Sequence, residues 1–147
     1  MKRTQFKSLS NSNEERQILD YQATQVQLVP DLAFYYANVF MSQFCMSVFD
    51  QMQEDIKNDK YGTMNDLHVL ASCLKAYYMQ RSIDGLFKMR ECGGGHAYSN
   101  FSSIGSWIEA WSPNVTLEGD GYVLYQQTTR KLLKILNGSM KGKSYNK

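Results

Sequence analysis

The sequence has little cysteine, little proline and little net charge. Its three cysteines, Cys45, Cys73 and Cys92, are odd in number and widely spaced, which argues against a disulfide framework or a metal site and fits a reducing compartment. A formal charge of +2 is too small to indicate a nucleic-acid partner. No apolar run approaches the roughly 20 residues of a membrane-spanning helix, so we expect a soluble protein with no membrane span. The N-terminal residues lack the apolar core of a secretory signal.

What the sequence does contain predicts one helical domain. Its 147 residues are 43% hydrophobic and 20% charged, a composition typical of a folded domain with a core. We expect a polar N-terminal segment over residues 1–13, a helical bundle over 14–137 and a polar, basic tail over 138–147. Strand patterns are nearly absent. The predicted fold class is therefore all-α.

Hydrophobic periodicity and two prolines divide the bundle into helices. The predicted helices run over Glu14–Val29, over Asp31–Asn58, from a cap at Thr63 or Asn65 to the glycines at 93–95, and over Tyr122–Leu136. Pro30 is expected to end the first helix and start the second, because proline is tolerated in a helix's first turn. The stretch from residue 96 to Pro113 reads as loop with one short helix around Trp107.

A run of three glycines, Gly93-Gly94-Gly95, has two interpretations. Glycine is the usual residue just past a helix C-terminus, where it adopts positive φ without a Cβ clash. Three in a row, followed by His96, also suit a backbone that lies against a ligand. The dinucleotide fingerprint does not apply, since no strand precedes the run. Position alone favours the helix-capping interpretation, and the ligand interpretation stays open.

An acidic turn, Glu118-Gly119-Asp120-Gly121, lies just before the last helix. Asp120 is expected to cap that helix, where the helix dipole favours negative charge. Glu118 follows Leu117 and an apolar stretch, so it can face an enclosed space in which a carboxylate abstracts protons. On composition alone, a solvated turn is the better interpretation of Glu118.

Taken together, the two motifs resemble the signature of the peroxisomal acyl-CoA oxidases. That family reads Gly-Gly-His-Gly-Tyr-Ser, then Thr-Pro, then Thr-Phe-Glu-Gly-Glu-Asn. Here the matching residues are Cys92-Gly-Gly-Gly-His-Ala-Tyr-Ser99, then Ser112-Pro113, then Thr116-Leu-Glu-Gly-Asp120, with no gap in the spacing. The similarity runs from about Ile18 to Leu136 and includes Leu19-Asp-Tyr-Gln22, Leu67-His68 and Leu74-Lys75-Ala76.

Three residues depart from the family pattern. Gly93 replaces a cysteine, Ala97 replaces a glycine and Gly121 replaces an asparagine. Acyl-CoA dehydrogenases, the sister family, usually carry threonine two places after the base. Asp120 is closer to the oxidase pattern, so the resemblance favours an oxidase.

The resemblance implies a flavoprotein oxidoreductase of fatty-acid β-oxidation, a branch of lipid metabolism. The segment would be the helical bundle that follows an N-terminal helical domain and a β-barrel, with FAD between barrel and bundle. Glu118 matches the base that removes the α-proton of a fatty acyl-CoA. The products would be a trans-2-enoyl-CoA and hydrogen peroxide.

The resemblance also implies binding roles and a location. Gly94, Gly95 and His96 match the loop that approaches FAD, expected to be the flavin of a neighbouring subunit in a homodimer. Gly119 and Asp120 match positions that line the flavin and substrate cleft, and Arg130 matches a helix arginine near the CoA nucleotide. No metal is implied. The family is peroxisomal, and a mitochondrial or cytoplasmic location stays open.

Two hypotheses of different class follow. The chain lacks the barrel, the N-terminal helical domain and the second C-terminal helical domain, and it ends Ser144-Tyr145-Asn146-Lys147, which is no peroxisomal address. We therefore expect no turnover by this piece alone. In the first hypothesis, it belongs to a complete or split acyl-CoA oxidase. In the second, it is an inactive, truncated relic that serves as a structural or interaction subunit of a larger complex.

Overall fold

A computed structural model describes residues 2–3 and 16–140, with side chains over 16–138. Four α-helices dominate it, which confirms the all-α prediction. They are α1 (Gln22–Lys57), α2 (Gly62–Tyr98), α3 (Ile104–Trp111) and α4 (Gly121–Met140). Two-residue strands, Lys2–Arg3 and Arg16–Gln17, pair antiparallel before the first helix. The predicted N-terminal segment and basic tail lie largely outside the described residues.

The first helix continues through Pro30, so the predicted break there is wrong. Proline removes one backbone donor and costs roughly 3 kcal/mol in a helix interior. Contacts with α2 on both sides of Pro30 hold α1 continuous: the Cys92 thiol donates to Gln27 Oε1 at 2.8 Å, and Asp31 pairs with Arg81. The predicted start at Glu14 is wrong as well, because residues 16–20 form a strand and a 3-10 turn before the helix begins at Gln22.

Helices α1 and α2 form an antiparallel hairpin. Its tight end lies at Asn58–Tyr61. The sequence predicted that Thr63 or Asn65 caps α2, but the Thr63 hydroxyl donates to the Asp55 carboxylate and no side chain caps the helix. Further along, the Phe34 ring meets Tyr77 and Tyr78 edge-on, with centroids 5.8 and 5.3 Å apart.

The first helical segment of α2 ends at the glycine run, as predicted, and a second, short segment follows it after a kink. Gly94 has φ 58° and ψ −141°, and a last helical turn then continues to Tyr98. Only glycine adopts such angles at little cost. The short helix predicted around Trp107 is confirmed as α3, which is flanked by 3-10 turns at Asn100–Ser102 and Ser112–Val115.

The last helix, α4, packs antiparallel to the first half of α2. His68 Nε2 lies 3.0 Å from Gln127 Oε1, and Lys131 Nζ lies 3.0 Å from Asp66 Oδ1. The helix extends past the predicted end at Leu136 and reaches Met140. A single glycine, Gly138, costs only about 1 kcal/mol in a helix and does not stop it.

The described part of the chain buries few large side chains. Its buried apolar residues are Ala76, Ile83, Ala97 and Leu124, and none of its large side chains falls below 2% exposure. Helix α1 has no fully buried residue, only half-buried ones on the side facing α2, and by length and composition it could cross a membrane. That evidence is weak, because a core helix of a soluble protein passes the same test.

Candidate functional site

Glu118 lies in the turn between the 3-10 helix Ser112–Val115 and α4. Its backbone is left-handed, with φ 61°, although it carries a side chain. This conformation costs roughly 1–2 kcal/mol for a residue other than glycine, so the surrounding contacts must impose it. The Glu118 side chain is exposed in this chain. The expected enclosed space is therefore not formed by these helices alone.

Gly119 continues the left-handed turn at φ 110°. A Cβ at this position would lie 3.2 Å from Leu124 Cδ2, and Leu124 is one of the few buried side chains. The φ angle therefore strains any residue other than glycine, and a Cβ would also have to displace the Leu124 side chain by a few tenths of an ångström. Gly119 packs the turn directly onto the first turns of α4.

Asp120 caps α4, as predicted. Its Oδ1 accepts hydrogen bonds from the backbone N–H groups of Tyr122, at 2.8 Å, and Val123, at 3.2 Å. Both donors belong to the first turn of the helix, whose backbone N–H groups have no acceptors within the helix. The cap fixes where α4 starts relative to Glu118.

Lys75 holds the same turn from the side of α2. Its ammonium donates to the backbone carbonyl of Val115 at 3.1 Å and to that of Gly119. The sequence analysis noted Lys75 within a family motif but assigned it no role. No local pattern could have found it, because both of its partners lie beyond α2 and α3 in the chain.

The glycine run presents bare backbone at the bend of α2. A Cβ added at Gly95 would meet nothing within 4 Å, and the His96 side chain is exposed. Ala97 is buried at 4% exposure, and its carbonyl accepts from the Ser102 hydroxyl at 2.8 Å. Ala97 thus anchors the bend on its buried side, while the backbone at Gly95 is open to solvent, where a flat ligand has room to approach closely.

The acidic turn and the glycine run do not form one pocket within this chain. Lys75, which contacts the turn, and Gly94, which bends the glycine run, both lie on α2. Their positions in the sequence place them roughly five helical turns apart, which is about 28 Å along α2. The acidic turn therefore packs beside the first half of α2, whereas the glycine run lies near the C-terminal end of that helix.

Arg130 lies in an open groove of about 590 Å³ along one face of α4. Arg130 and Lys134, one turn apart, give it two cations. The full lining is Tyr122, Tyr125, Gln126, Thr129, Arg130, Leu133, Lys134 and Asn137. Lys134 was missed in the sequence, although its i+4 spacing from Arg130 places both on one face. Over residues 16–138, no three His, Cys, Asp or Glu side chains cluster as metal ligands.

The sequence matches a family model described as "Acyl-CoA oxidase, C-alpha1 domain" over residues 1–133. It is 33% identical over 135 residues to peroxisomal acyl-coenzyme A oxidase 1 of Mus musculus, covering 92% of this chain and 20% of that protein. The Dictyostelium discoideum protein of the same name is 34% identical over 135 residues, covering 91% and 19%. The chain thus spans about a fifth of the length of these relatives.

Solved structures agree in fold. Acyl-CoA oxidase 1 of Arabidopsis thaliana superposes with a TM-score of 0.87 at 28% identity, over 92% of this chain and 21% of that one. Acyl-CoA oxidase-1 of Caenorhabditis elegans, complexed with FAD and ATP, gives a TM-score of 0.90 at 27% identity, over 97% and 22%. With the family model covering most of its length, this chain belongs to the acyl-CoA oxidase family and corresponds to its C-alpha1 domain.

Proposed function

We propose that this chain is the part of an FAD-dependent acyl-CoA oxidase that carries the catalytic base, Glu118. One observation carries the proposal: Glu118 projects from a turn that three contacts hold in a left-handed conformation. They are the Lys75 bonds to the carbonyls of Val115 and Gly119, and the Asp120 cap that joins the turn to α4. A carboxylate that abstracts a proton needs a fixed position and orientation, because the rate depends on its geometry relative to the C–H bond.

The reaction supported by this site converts an acyl-CoA into a trans-2-enoyl-CoA. Glu118 takes a proton from the carbon next to the thioester carbonyl, while the neighbouring carbon loses a hydride. A carboxylate is a stronger base when removed from water. Glu118 is exposed here, so the remaining domains or a second subunit would have to close over it in the working enzyme.

The residues at the bend of α2 fit a flavin. Gly94 and Gly95 offer backbone without side chains, and His96 is free to contact a ring or phosphate. Asp120 would line a second flavin site, beside the base. FAD, held by these residues, would supply the hydride acceptor, and its reoxidation by O2 with uptake of two protons would give hydrogen peroxide. Because the two motifs are about 28 Å apart along α2, we assign them to two different flavins.

The groove on α4 suits the nucleotide end of acyl-CoA. Arg130 and Lys134 provide positive charge for phosphates, and Tyr122 and Tyr125 provide aromatic faces. Arg130 lies about 14 Å along α4 from Gly121, so an extended ligand could reach from Gly119 to the groove. This arrangement fits a long thioester substrate.

We assign the complete enzyme to the peroxisome and to a homodimeric assembly. The relatives are named peroxisomal acyl-coenzyme A oxidases. The large exposed apolar side chains, such as Leu32 at 56% and Phe40 at 68%, need cover from other domains or a second subunit. The relic hypothesis would also explain this surface, but it does not explain why the turn keeps Glu118 in a costly conformation.

The test is a Glu118→Gln substitution in the complete polypeptide that carries this sequence. General-base catalysis contributes about 100- to 10,000-fold, so peroxide production from acyl-CoA should fall by that range. Glu109→Gln is the matched control, because Glu109 is an exposed carboxylate on neighbouring α3. Undiminished peroxide production in the Glu118 variant would refute the base assignment. A purified native protein without flavin or thioester activity would support the relic hypothesis.

A further inference from the structure

Lys75 joins two carbonyls that bracket Glu118. It lies on α2 between Ser72 and Ala76, both buried, where the helix faces the acidic turn. Its ammonium meets the carbonyls of Val115, which precedes Glu118 in the turn, and of Gly119, which follows it. The Lys75 side chain is partly buried, so these bonds are sheltered from water.

The backbone hydrogen bonds on either side of Glu118 stop at Leu117 and resume at Asp120. On one side, Thr116 and Leu117 donate to the Pro113 carbonyl at 3.0 and 2.9 Å. On the other side, Leu124 donates to the Asp120 carbonyl at 3.1 Å. Lys75 spans this gap with two bonds from one charged group. Hydrogen bonds from charged donors are about twice as strong as neutral ones.

We propose that Lys75 is a positioning residue for the proton-abstracting carboxylate. The inference rests on the proposed function of Glu118. Asp120 fixes the start of α4, but it does not hold the segment before Glu118. Lys75 fixes both sides of that residue against α2 and so keeps the left-handed backbone that aims the side chain. An ammonium has three donors, and two of them are committed to this task.

The experiment uses the complete flavin-loaded enzyme and three substitutions. Lys75→Met removes both bonds and should lower kcat by about 10- to 100-fold with little change in KM, because misplacing a catalytic group by about 1 Å costs up to this much. Lys75→Arg keeps the charge and the donors and should recover most of the rate. Lys131→Met is the control. It breaks the 3.0 Å ion pair to Asp66 between α2 and α4 without touching the turn.

A double variant separates positioning from general structural support. If Lys75 acts through Glu118, adding Lys75→Met to Glu118→Gln should cause no further loss of rate. Losses that multiply, or an unchanged kcat in Lys75→Met, would overturn the inference while leaving the base assignment intact. Activity retained by Glu118→Gln alone would instead overturn the proposed function.

A second variant covers the case in which Lys75→Met loses its flavin. Lys75→Gln keeps two N–H donors but removes the positive charge, so it should give a loss of kcat intermediate between those of the arginine and methionine variants. Amide hydrogen exchange at residues 117–120 should quicken in the same order. Exchange in the glutamine variant equal to that of the unsubstituted enzyme would contradict the anchoring of the turn.

Discussion

At the scale of single residues, two of the departures from the family pattern explain each other. A Cβ at Gly93 would lie well inside van der Waals contact with the Ala97 Cβ. In the resemblance to the oxidase motif, Gly93 takes the place of a cysteine and Ala97 takes the place of a glycine. The bend of α2 has room for the Ala97 side chain only while position 93 has none.

We therefore predict that Gly93→Ala destabilises the chain and that Ala97→Gly rescues it. The clash should lower the free energy of unfolding by about 1–3 kcal/mol, as overpacking in a close-packed site does. The double variant should recover most of that loss. Urea denaturation measures both effects.

Gly105→Ala is the control for this prediction. Gly105 lies inside α3, and a Cβ there meets nothing within 4 Å, so its substitution should be neutral or slightly stabilising. Equal destabilisation by the substitutions at Gly93 and Gly105 would contradict the steric explanation.

At the scale of elements, the α1–α2 hairpin is held by a polar seam on both sides of Pro30. Asp31 Oδ1 pairs with Arg81 and lies 3.6 Å from Lys88 Nζ, while Cys92 donates to Gln27. Burial raises the pKa of the Cys92 thiol, and the negative charges of Glu91 and Asp31 raise it further. Deprotonation of the thiol would remove its hydrogen bond to Gln27 and so weaken the contact between α1 and α2.

This raised pKa predicts a loss of stability in alkaline solution. The folded state favours the protonated thiol, so its contribution is complete below the ordinary value of 9.0 and disappears as the pH rises through the folded pKa. Burial likewise raises the pKa of Tyr78 above its ordinary 10.0, which extends the loss to higher pH. Urea denaturation between pH 7 and about pH 10.5 measures the slope.

Cys92→Ser separates the two contributions. Serine keeps a donor for Gln27 but does not ionise in this range, so the part of the slope that starts near pH 9.0 should vanish. The part due to Tyr78 should remain. A slope between pH 9.0 and 10.0 that is the same in the Cys92→Ser variant would show that the thiol does not contribute.

At the scale of the whole molecule, the described residues form a bundle with an incomplete core. Buried apolar side chains are few and small, while α1 exposes Val26 at 66%, Tyr35 at 61% and Phe40 at 68%. Exposed apolar side chains in this number on one helix indicate a surface that another protein element covers. The chain spans about a fifth of its relatives, whose remaining domains would supply such a partner surface.

We predict that the native assembly carrying this sequence has a mass well above 16.9 kDa. Native mass spectrometry on material from its source measures the assembly, and the denatured mass then separates the two explanations. A longer polypeptide would mean that further domains cover α1. A polypeptide with the mass of this chain alone, found in a larger complex, would mean a partner chain. A stable monomer of that same mass would contradict the incomplete-core interpretation.

Much of the fold was predictable because it depends on local pattern. The helical period, the short helix around Trp107 and the Asp120 cap all follow from residues within a few positions of one another. The errors fall where distant contacts outweigh local preference. Pro30 stays inside α1 because residues of α2 bind Gln27 before it and Asp31 after it. Thr63 donates to Asp55 instead of capping its own helix.

The sequence by itself determined the family, the all-α class and the identity of the candidate base, since these rest on residue types at fixed spacings. Only the tertiary structure decided how that base is held and what lies near it. The Lys75 contacts join α2 to a turn far along the chain, and Lys75 lies about 28 Å along α2 from Gly94 in the glycine run. Spacing along a chain carries no information about such distances, because they depend on how the helices pack.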